Sequence, residues 1–265
     1  MKMPVMFVGH GNPMNAITDN VFKENWKRIG KTLQPRAILC VSAHWYINRT
    51  RVNPREDPEQ IYDMYGFPEE LYAVKYPVKG SRELADRVIE LLGKDVEYNS
   101  DWGIDHGTWA VLKWMFPAAD IPVMQLSING TEKAPFHFDL GRMLAPLREE
   151  GILIIGSGNI VHNLSKAQWG MADGFDWAYE FDGLIRDAIL AGDFEKAVSY
   201  RERGESALLA VPTPDHYYPL MYALGAATPE DQVLCFNECC EMGSMSMTGY
   251  LFGTPEDVAI DILKS

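Results

Sequence analysis

Histidine is the side chain whose ordinary pKa lies nearest neutrality, and its neutral ring is the commonest protein ligand for transition metals. The chain has six. Five sit in polar or glycine-rich turns: His10 in Val-Gly-His-Gly-Asn-Pro, His44 in Val-Ser-Ala-His-Trp, His106 in Ile-Asp-His-Gly-Thr-Trp, His162 in Gly-Ser-Gly-Asn-Ile-Val-His-Asn and His216 in Pro-Thr-Pro-Asp-His-Tyr-Tyr-Pro. The sixth, His137 in Phe-His-Phe-Asp, falls at an expected helix start and reads as structural. His10 directly follows one apolar, strand-like run and His44 follows another, while His162 comes seven positions after the run that ends at Ile155. In a parallel α/β sheet the C-terminal strand ends lie along one edge, where ligands bind, so imidazoles far apart in sequence can converge there. Three converging imidazoles with open positions suit Fe(II), Zn or Mn better than Mg or Ca, which prefer oxygen. No H-E-x-x-H pair or similar short-range signature specifies the metal. Trp45 and Tyr217, each adjacent to a candidate ligand, are expected in the pocket wall.

The elements that must carry these residues are legible as alternating apolar runs and helical spacings. Pro4–Gly9, Ala37–Ala43, Ile121–Ile128, Ile152–Ile155 and Val233–Asn237 have strand length and β-branched content, with Ser246–Phe252 as a weaker sixth. In Ser81–Leu92 the residues Leu84, Val88, Leu91 and Leu92 share one face, with Ser81 placed to cap the start and Gly93 to end it. Thr108 could cap a helix to Phe116, and Phe138–Glu150, Asp176–Ala191 and Pro214–Gly225 also read as helices. Strands alternating with helices predict a single α/β domain over residues 1–265, with a central, mostly parallel but mixed sheet flanked by helices and an antiparallel edge near the C-terminus. The Pro-, Tyr- and charge-rich stretch Asn48–Gly80 is expected to form a long loop over one end of the sheet.

Composition narrows the function. Twenty-four basic against 37 acidic side chains leave a net charge of −13, with no basic cluster, so nucleic acid and anionic lipid are poor partners. No apolar stretch approaches the roughly 20 residues of a membrane span, and the short run at the N-terminus lacks the shape of a signal peptide. The cysteines Cys40, Cys235, Cys239 and Cys240 form no C-x-x-C pair, which fits a reducing cytoplasm. The turns Gly9-His-Gly-Asn-Pro-Met14 and Gly156-Ser-Gly-Asn-Ile-Val161 lack the third glycine of a dinucleotide fingerprint. Ser157 is not in G-x-S-x-G, since Ile155 occupies the first glycine position.

Five phrases in order along the chain resemble the 4,5-DOPA extradiol dioxygenase family, a branch of the class III extradiol ring-cleaving dioxygenases: Gly-His-Gly-Asn-Pro-Met at 9–14, Val-Ser-Ala-His-Trp at 41–45, Gly-Ile-Asp-His-Gly-Thr-Trp at 103–109, Gly-Ser-Gly-Asn-Ile-Val-His-Asn-Leu at 156–164 and Pro-Thr-Pro-Asp-His-Tyr-Tyr-Pro-Leu at 212–220. Gln125-Leu-Ser-Ile128 and Glu241-Met-Gly-Ser-Met-Ser-Met247 extend the likeness over nearly the whole chain. The resemblance implies a single α/β domain in which His10, His44 and His216 hold a non-haem Fe(II), with His162 beside the metal as acid/base or further ligand. It places His106 on the oxygen or substrate side, where it could donate a hydrogen bond to developing negative charge. The implied reaction is O₂-dependent cleavage of a catechol such as DOPA next to, not between, its hydroxyls. A substrate carboxylate would then need a reader, for which Arg51, Arg55 and Lys75 are the loop candidates. Three neutral ligands also resemble a zinc site, so Zn(II) is an alternative occupant of the purified protein. A zinc hydrolase using metal-bound water would need the same residues.

Overall fold

Period-two alternation along the apolar runs sets the layers. In Val5–Gly9, Val5 and Phe7 face one hydrophobic core while Met6 and Val8 face another. Leu39 and Val41 oppose Ile38 and Cys40 in the next strand, and Ile152 and Ile154 oppose Leu153 and Ile155 in a third. A strand buried on both faces belongs in the middle of a sheet covered on both sides. The structure, a computed structural model, describes residues 2–264.

Its strands are β1 Val5–Gly9, β2 Ala37–Ile47, β3 Arg51–Val52, β4 Glu97–Tyr98, β5 Val123–Asn129, β6 Ile152–Gly158, β7 Gln232–Phe236, β8 Cys240–Glu241, β9 Met245–Ser246 and β10 Gly249–Gly253. Eight of them form one sheet in the order β4-β3-β5-β2-β6-β1-β10-β7, and β8 and β9 make a separate hairpin. The β5-β2-β6-β1 centre is parallel. The β10 and β7 edge is antiparallel, as the closely spaced last runs imply. Helices α1 Val21–Thr32, α2 Glu69–Tyr72, α3 Arg82–Leu92, α4 His106–Met115, α5 Ala134–Leu144, α6 Asp176–Leu190, α7 Phe194–Val198, α8 Glu205–Ala210, α9 Tyr218–Ala226 and α10 Pro255–Val258 complete the chain. Among the described residues no helix is long and apolar enough to cross a membrane.

Several boundaries move for identifiable reasons. Helix α3 begins and ends as its spacing indicates, with the Ser81 side chain accepting from Leu84 N–H and Gly93 at φ 61° closing it. Helix α4 starts earlier than Thr108, because Asp105 is the cap and accepts from Thr108 N–H. Helix α5 begins at Ala134, with Pro135 in its first turn, and tightens to a 3₁₀ turn over Ala145–Arg148, where Pro146 supplies no N–H. Pro214 opens a turn, and α9 proper starts at Tyr218. The stretch 48–80 is mostly loop, but it contains β3 and α2 and is anchored by a bridge between Gln60 and Ile104.

Two close approaches govern how α9 sits. A Cβ on Gly156 or Gly158 of β6 would overlap the carbonyl oxygens of Pro219 and His216, so only glycine lets this turn lie directly on the strand. Between α5 and α9, a Cβ on Gly225 would overlap the Phe138 carbonyl. Gly225→Ala is therefore expected to destabilise the fold by about 1–3 kcal/mol despite alanine's better helix propensity. Gly183→Ala in α6, whose nearest neighbour is 4.0 Å away, should be neutral or stabilising. Denaturant unfolding of the two variants reads the difference in sign.

His137 is fully buried in α5 with Nδ1 3.0 Å from the Tyr222 hydroxyl, so its role is structural. Burial lowers its pKa to about 4. The unfolded chain then binds more protons between pH 6.5 and 4, and folding stability contributed by this group falls as pH drops through that window. In His137→Gln, which keeps a hydrogen-bonding group at this position, the fall in stability between pH 6.5 and 4 should be shallower than in the native protein by up to about 1.4 kcal/mol per pH unit.

Candidate active site

The parallel centre of the sheet delivers its histidines to one edge. His10 follows β1 directly, and its N–H donates to the Gly158 carbonyl at the end of β6. His44 lies inside β2 rather than after it, where the register with β5 breaks between Val41 and Tyr46 and the strand turns its side chains. His106 is the first residue of α4, fixed by the Asp105 cap. Asp105 is itself buried and accepts from Ser42 Oγ at 2.7 Å and from Gln125 Nε2 at 2.6 Å. The Ile-Asp-His and Gln-Leu-Ser-Ile phrases are thus two halves of one hydrogen-bonded support. His162 is held by a bridge to Met245, and His216 by its carbonyl, which accepts from Asn159 N–H.

All five side chains, His10, His44, His106, His162 and His216, line a single cavity of about 290 Å³. His137 stands apart from it in the core. The ring centroids of His10, His44 and His216 form a nearly equilateral triangle, 5.0 Å between His10 and His44, 5.3 Å between His10 and His216, and 5.1 Å between His44 and His216. His106 lies 4.0 Å from His44 but 5.7 Å from His10. His162 stacks on His216 at 3.4 Å with an interplanar angle of 7°. Donor atoms come within 4.8 Å of one another in two sets, His10 with His44 and His106, and His162 with Asp215 and His216.

Four of the five rings, all but His162, are tied by Nδ1. Ser157 Oγ donates to the Gly107 carbonyl at 2.5 Å, so the 3.0 Å contact between Ser157 Oγ and His10 Nδ1 requires the ring to donate. Asp63 faces both His44 Nδ1 at 3.1 Å and His106 Nδ1 at 2.9 Å, and it also accepts from His106 N–H. Asp215 accepts from His216 Nδ1 at 2.5 Å. With protons on Nδ1, the Nε2 atoms carry lone pairs. The Nε2 atoms of His10 and His44 are 3.2 Å apart. Two lone pairs at that distance repel, whereas two nitrogens bound at about 2.0–2.1 Å to one ion at a tetrahedral angle sit about 3.3 Å apart. The His10 and His44 nitrogens are thus spaced as two ligands of one metal ion would be, and His106 lies within the same 4.8 Å set.

The electrostatics agree. Burial, reinforced by neighbouring imidazoles, holds His10 and His162 well below the usual histidine range. Burial also lowers His106, and lowers His216 to about 4. Burial pulls His44 down too, but the Asp63 carboxylate outweighs it and raises this ring. Burial pushes Asp63 and Asp215 up, yet the imidazoles they contact more than offset it and hold both carboxyls well below their usual range. Neutral rings bind metal, and ionised carboxylates orient them.

Some expectations change on contact with the geometry. Trp45 is buried and stacks on Trp102, because the alternation of β2 turns it away from the face that carries His44. Tyr217 is fully buried, packed on Tyr200 with its hydroxyl donating to the Ala197 carbonyl, so the core rather than the cavity takes its ring. Neither lines the cavity, whose wall comes instead from residues such as Met64, Leu164, Trp169 and Met242. Arg51 pairs with Glu97, Arg55 with Asp57, and Lys75 donates to the Tyr62 hydroxyl, so none reaches the site. The neutral His106 ring, donating from Nδ1 to Asp63, presents an acceptor on Nε2 and becomes a donor there only when protonated. Sequence reasoning missed Asp63, Asp215 and the positioning role of Ser157. The Asp-His dipeptide at 215–216 was a usable signal; nothing in the sequence near Asp63 announces its two partners.

Comparison with known proteins bears on the same geometry. Residues 3–253 match the family model described as the catalytic LigB subunit of aromatic ring-opening dioxygenase. The chain is 43% identical over 259 residues to a 4,5-DOPA dioxygenase extradiol of Escherichia coli (strain K12), covering 95% of each chain. It is 40% identical over 255 residues to a 4,5-DOPA dioxygenase extradiol of Beta vulgaris, covering 93% of this chain and 95% of the other. A crystal structure of an uncharacterized protein from Escherichia coli K12 superposes with a TM-score of 0.83 at 40% identity, covering 95% of this chain and 100% of that one. A match over nearly the entire length, on a fold that gathers five histidines in one cavity, establishes that the chain belongs to the LigB family of aromatic ring-opening dioxygenases.

Proposed function

We propose that the protein is an extradiol dioxygenase that opens a catechol ring next to its hydroxyls with O₂, with His10, His44 and His216 holding a non-haem Fe(II). The observation that carries this reading is the triangle of three neutral-capable imidazoles, each with its Nδ1 engaged by a separate group, Ser157, Asp63 or Asp215. The names of the Escherichia coli and Beta vulgaris relatives point to the same chemistry. When bound, Fe(II) supplies a Lewis-acidic and redox-active centre at which catechol and oxygen meet.

The remaining work falls to the protein's own side chains. His162 is kept neutral by burial and is the ring best placed to take the proton from a substrate hydroxyl. Stacking on His216 fixes its plane, so the same nitrogen can return the proton to a product oxygen without reorienting. His106 Nε2 accepts a hydrogen bond from a substrate hydroxyl and orients it. Met64, Met242 and Met245 line the cavity and exclude water from the reacting atoms.

Zn(II) would fit the same three rings, and zinc could occupy the purified protein without supporting turnover, since it is not redox-active. The four cysteines form no disulfide among the described residues, which suits a reducing cytoplasm, and we place the enzyme there, with a small catechol and O₂ as its reaction partners rather than nucleic acid or a membrane.

Iron-reconstituted protein should consume O₂ in the presence of catechols and form a yellow ring-fission product, monitored with an oxygen electrode and by visible absorbance. Equal activity in a zinc-only preparation, or hydrolysis without oxygen uptake, would overturn the reading. His162→Phe should retain metal while turnover falls by about 10²-fold or more. His216→Ala should lose metal, whereas His106→Ala should keep it. Metal content by mass spectrometry, measured beside turnover, separates the ligands from the acid/base groups.

A further inference from the structure

We infer that Asp182 is a positioning residue for the proton-transfer step: from helix α6 it clamps the strand that fixes the backbone on either side of His162, and so sets where that ring stands in the cavity. The inference rests on the ring-opening reading above, which gives His162 its acid/base role. Asp182 is buried, and both of its oxygens are taken by hydroxyls. Oδ1 accepts from Ser246 Oγ at 2.5 Å and Oδ2 from Thr248 Oγ1 at 2.8 Å. Burial pushes its pKa up to about 6 although the two hydroxyls draw it back, so above neutral pH the group is ionised and both oxygens accept.

Ser246 passes this hold to the histidine loop. Its N–H donates to the Val161 carbonyl at 3.0 Å, and its carbonyl accepts from Asn159 Nδ2 at 2.7 Å. One position earlier, Met245 is bridged to His162 itself. The Ser244 carbonyl accepts from Asn163 N–H, and Ser244 Oγ donates to the Asn163 carbonyl. Three consecutive residues of the loop, Val161, His162 and Asn163, are thus bound to three consecutive residues of one strand. On its other side the strand has no room to shift, because a Cβ on Gly9 would already overlap the Met247 backbone.

His162 needs such a hold more than the other four rings do. It lies in the irregular segment between β6 and the 3₁₀ turn at Leu164–Lys166, where neither helix nor sheet geometry fixes it. A ring that takes and returns a proton must keep a nitrogen free for the task, so its place has to be set through its backbone and its stacking on His216. Without Asp182 two buried hydroxyls lose their acceptor, and the strand loses its tie to α6. Proton transfer between positioned groups is sensitive to displacements of that size. His10 keeps its own ties to Gly158 and Ser157, and His216 its tie to Asp215, so the metal triangle does not depend on the clamp.

Iron-reconstituted Asp182→Ala, Asp182→Asn and Ser246→Ala, assayed above neutral pH, test this. Asp182→Ala should keep its iron and lose kcat by about tenfold or more, with KM changed by less than about threefold. Asp182→Asn, which can still accept from one hydroxyl, should lose less. In a His162→Phe background Asp182→Ala should change the residual kcat by less than about twofold, because the ring it positions is gone. Amide hydrogen exchange at Asn163 and Ser246 should quicken in Asp182→Ala while that of α3 stays unchanged. A kcat within about twofold of native overturns the inference, as does an equal loss in both backgrounds, which is what a merely structural role would give. Should Asp182→Ala not fold, Ser246→Ala carries the same comparison. If the native protein opens no catechol, the ring-opening reading fails, and exchange at Asn163 alone decides whether Asp182 holds the His162 loop.

Discussion

Five imidazoles share one small cavity, and four of them are oriented there because their outer nitrogens are bound to something else. A free imidazole can place its proton on either nitrogen and can rotate. Here Ser157, Asp63 and Asp215 hold the Nδ1 protons of four rings, two of them on the single Asp63 carboxylate. That leaves Nε2 lone pairs directed into common space. Without these acceptors the rings would hydrogen-bond to one another or turn toward water, and the near-equilateral triangle of His10, His44 and His216 would have no reason to persist.

The acceptors arrive by three routes, which explains why so much of the molecule serves so few atoms. Ser157 comes from β6 in the middle of the sheet, between two glycines that let the His216 turn lie on the strand. Asp215 neighbours its histidine in the chain. Asp63 comes from the long segment between β3 and α3, which folds back over the sheet edge and is anchored to Ile104 close to the start of α4. A buried carboxylate is tolerated only when paired, and Asp63 is paired twice. The segment that looks least ordered in the sequence therefore orients two of the five histidines.

The methionine-bearing hairpin contributes differently. To the cavity lining it adds no ionisable group and supplies surface, the thioethers of Met242 and Met245. A reaction between an aromatic ring and O₂ gains from a dry pocket, because charge that develops there is answered by fixed groups rather than by mobile water. Asp63 reaches the cavity between His44 and His106, and much of the remaining wall is soft and apolar.

What the sequence alone determined follows from local rules. Apolar runs of strand length with β-branched content located the central strands, and Ser81 and Gly93 bounded α3, because capping and strand patterning depend on residues a few positions apart. Histidines near the ends of apolar runs marked the edge where chemistry would lie, although His44 proved to lie within β2, and the order of five motifs carried the family. Only the tertiary structure decided that Trp45 and Tyr217 belong to the core and that Asp63 joins His44 to His106. Each of these turns on a contact between segments tens of residues apart, or on which way a strand faces after its register slips. No short-range spacing encodes such a contact; it exists only once the sheet, its covering helices and the long loop have packed together.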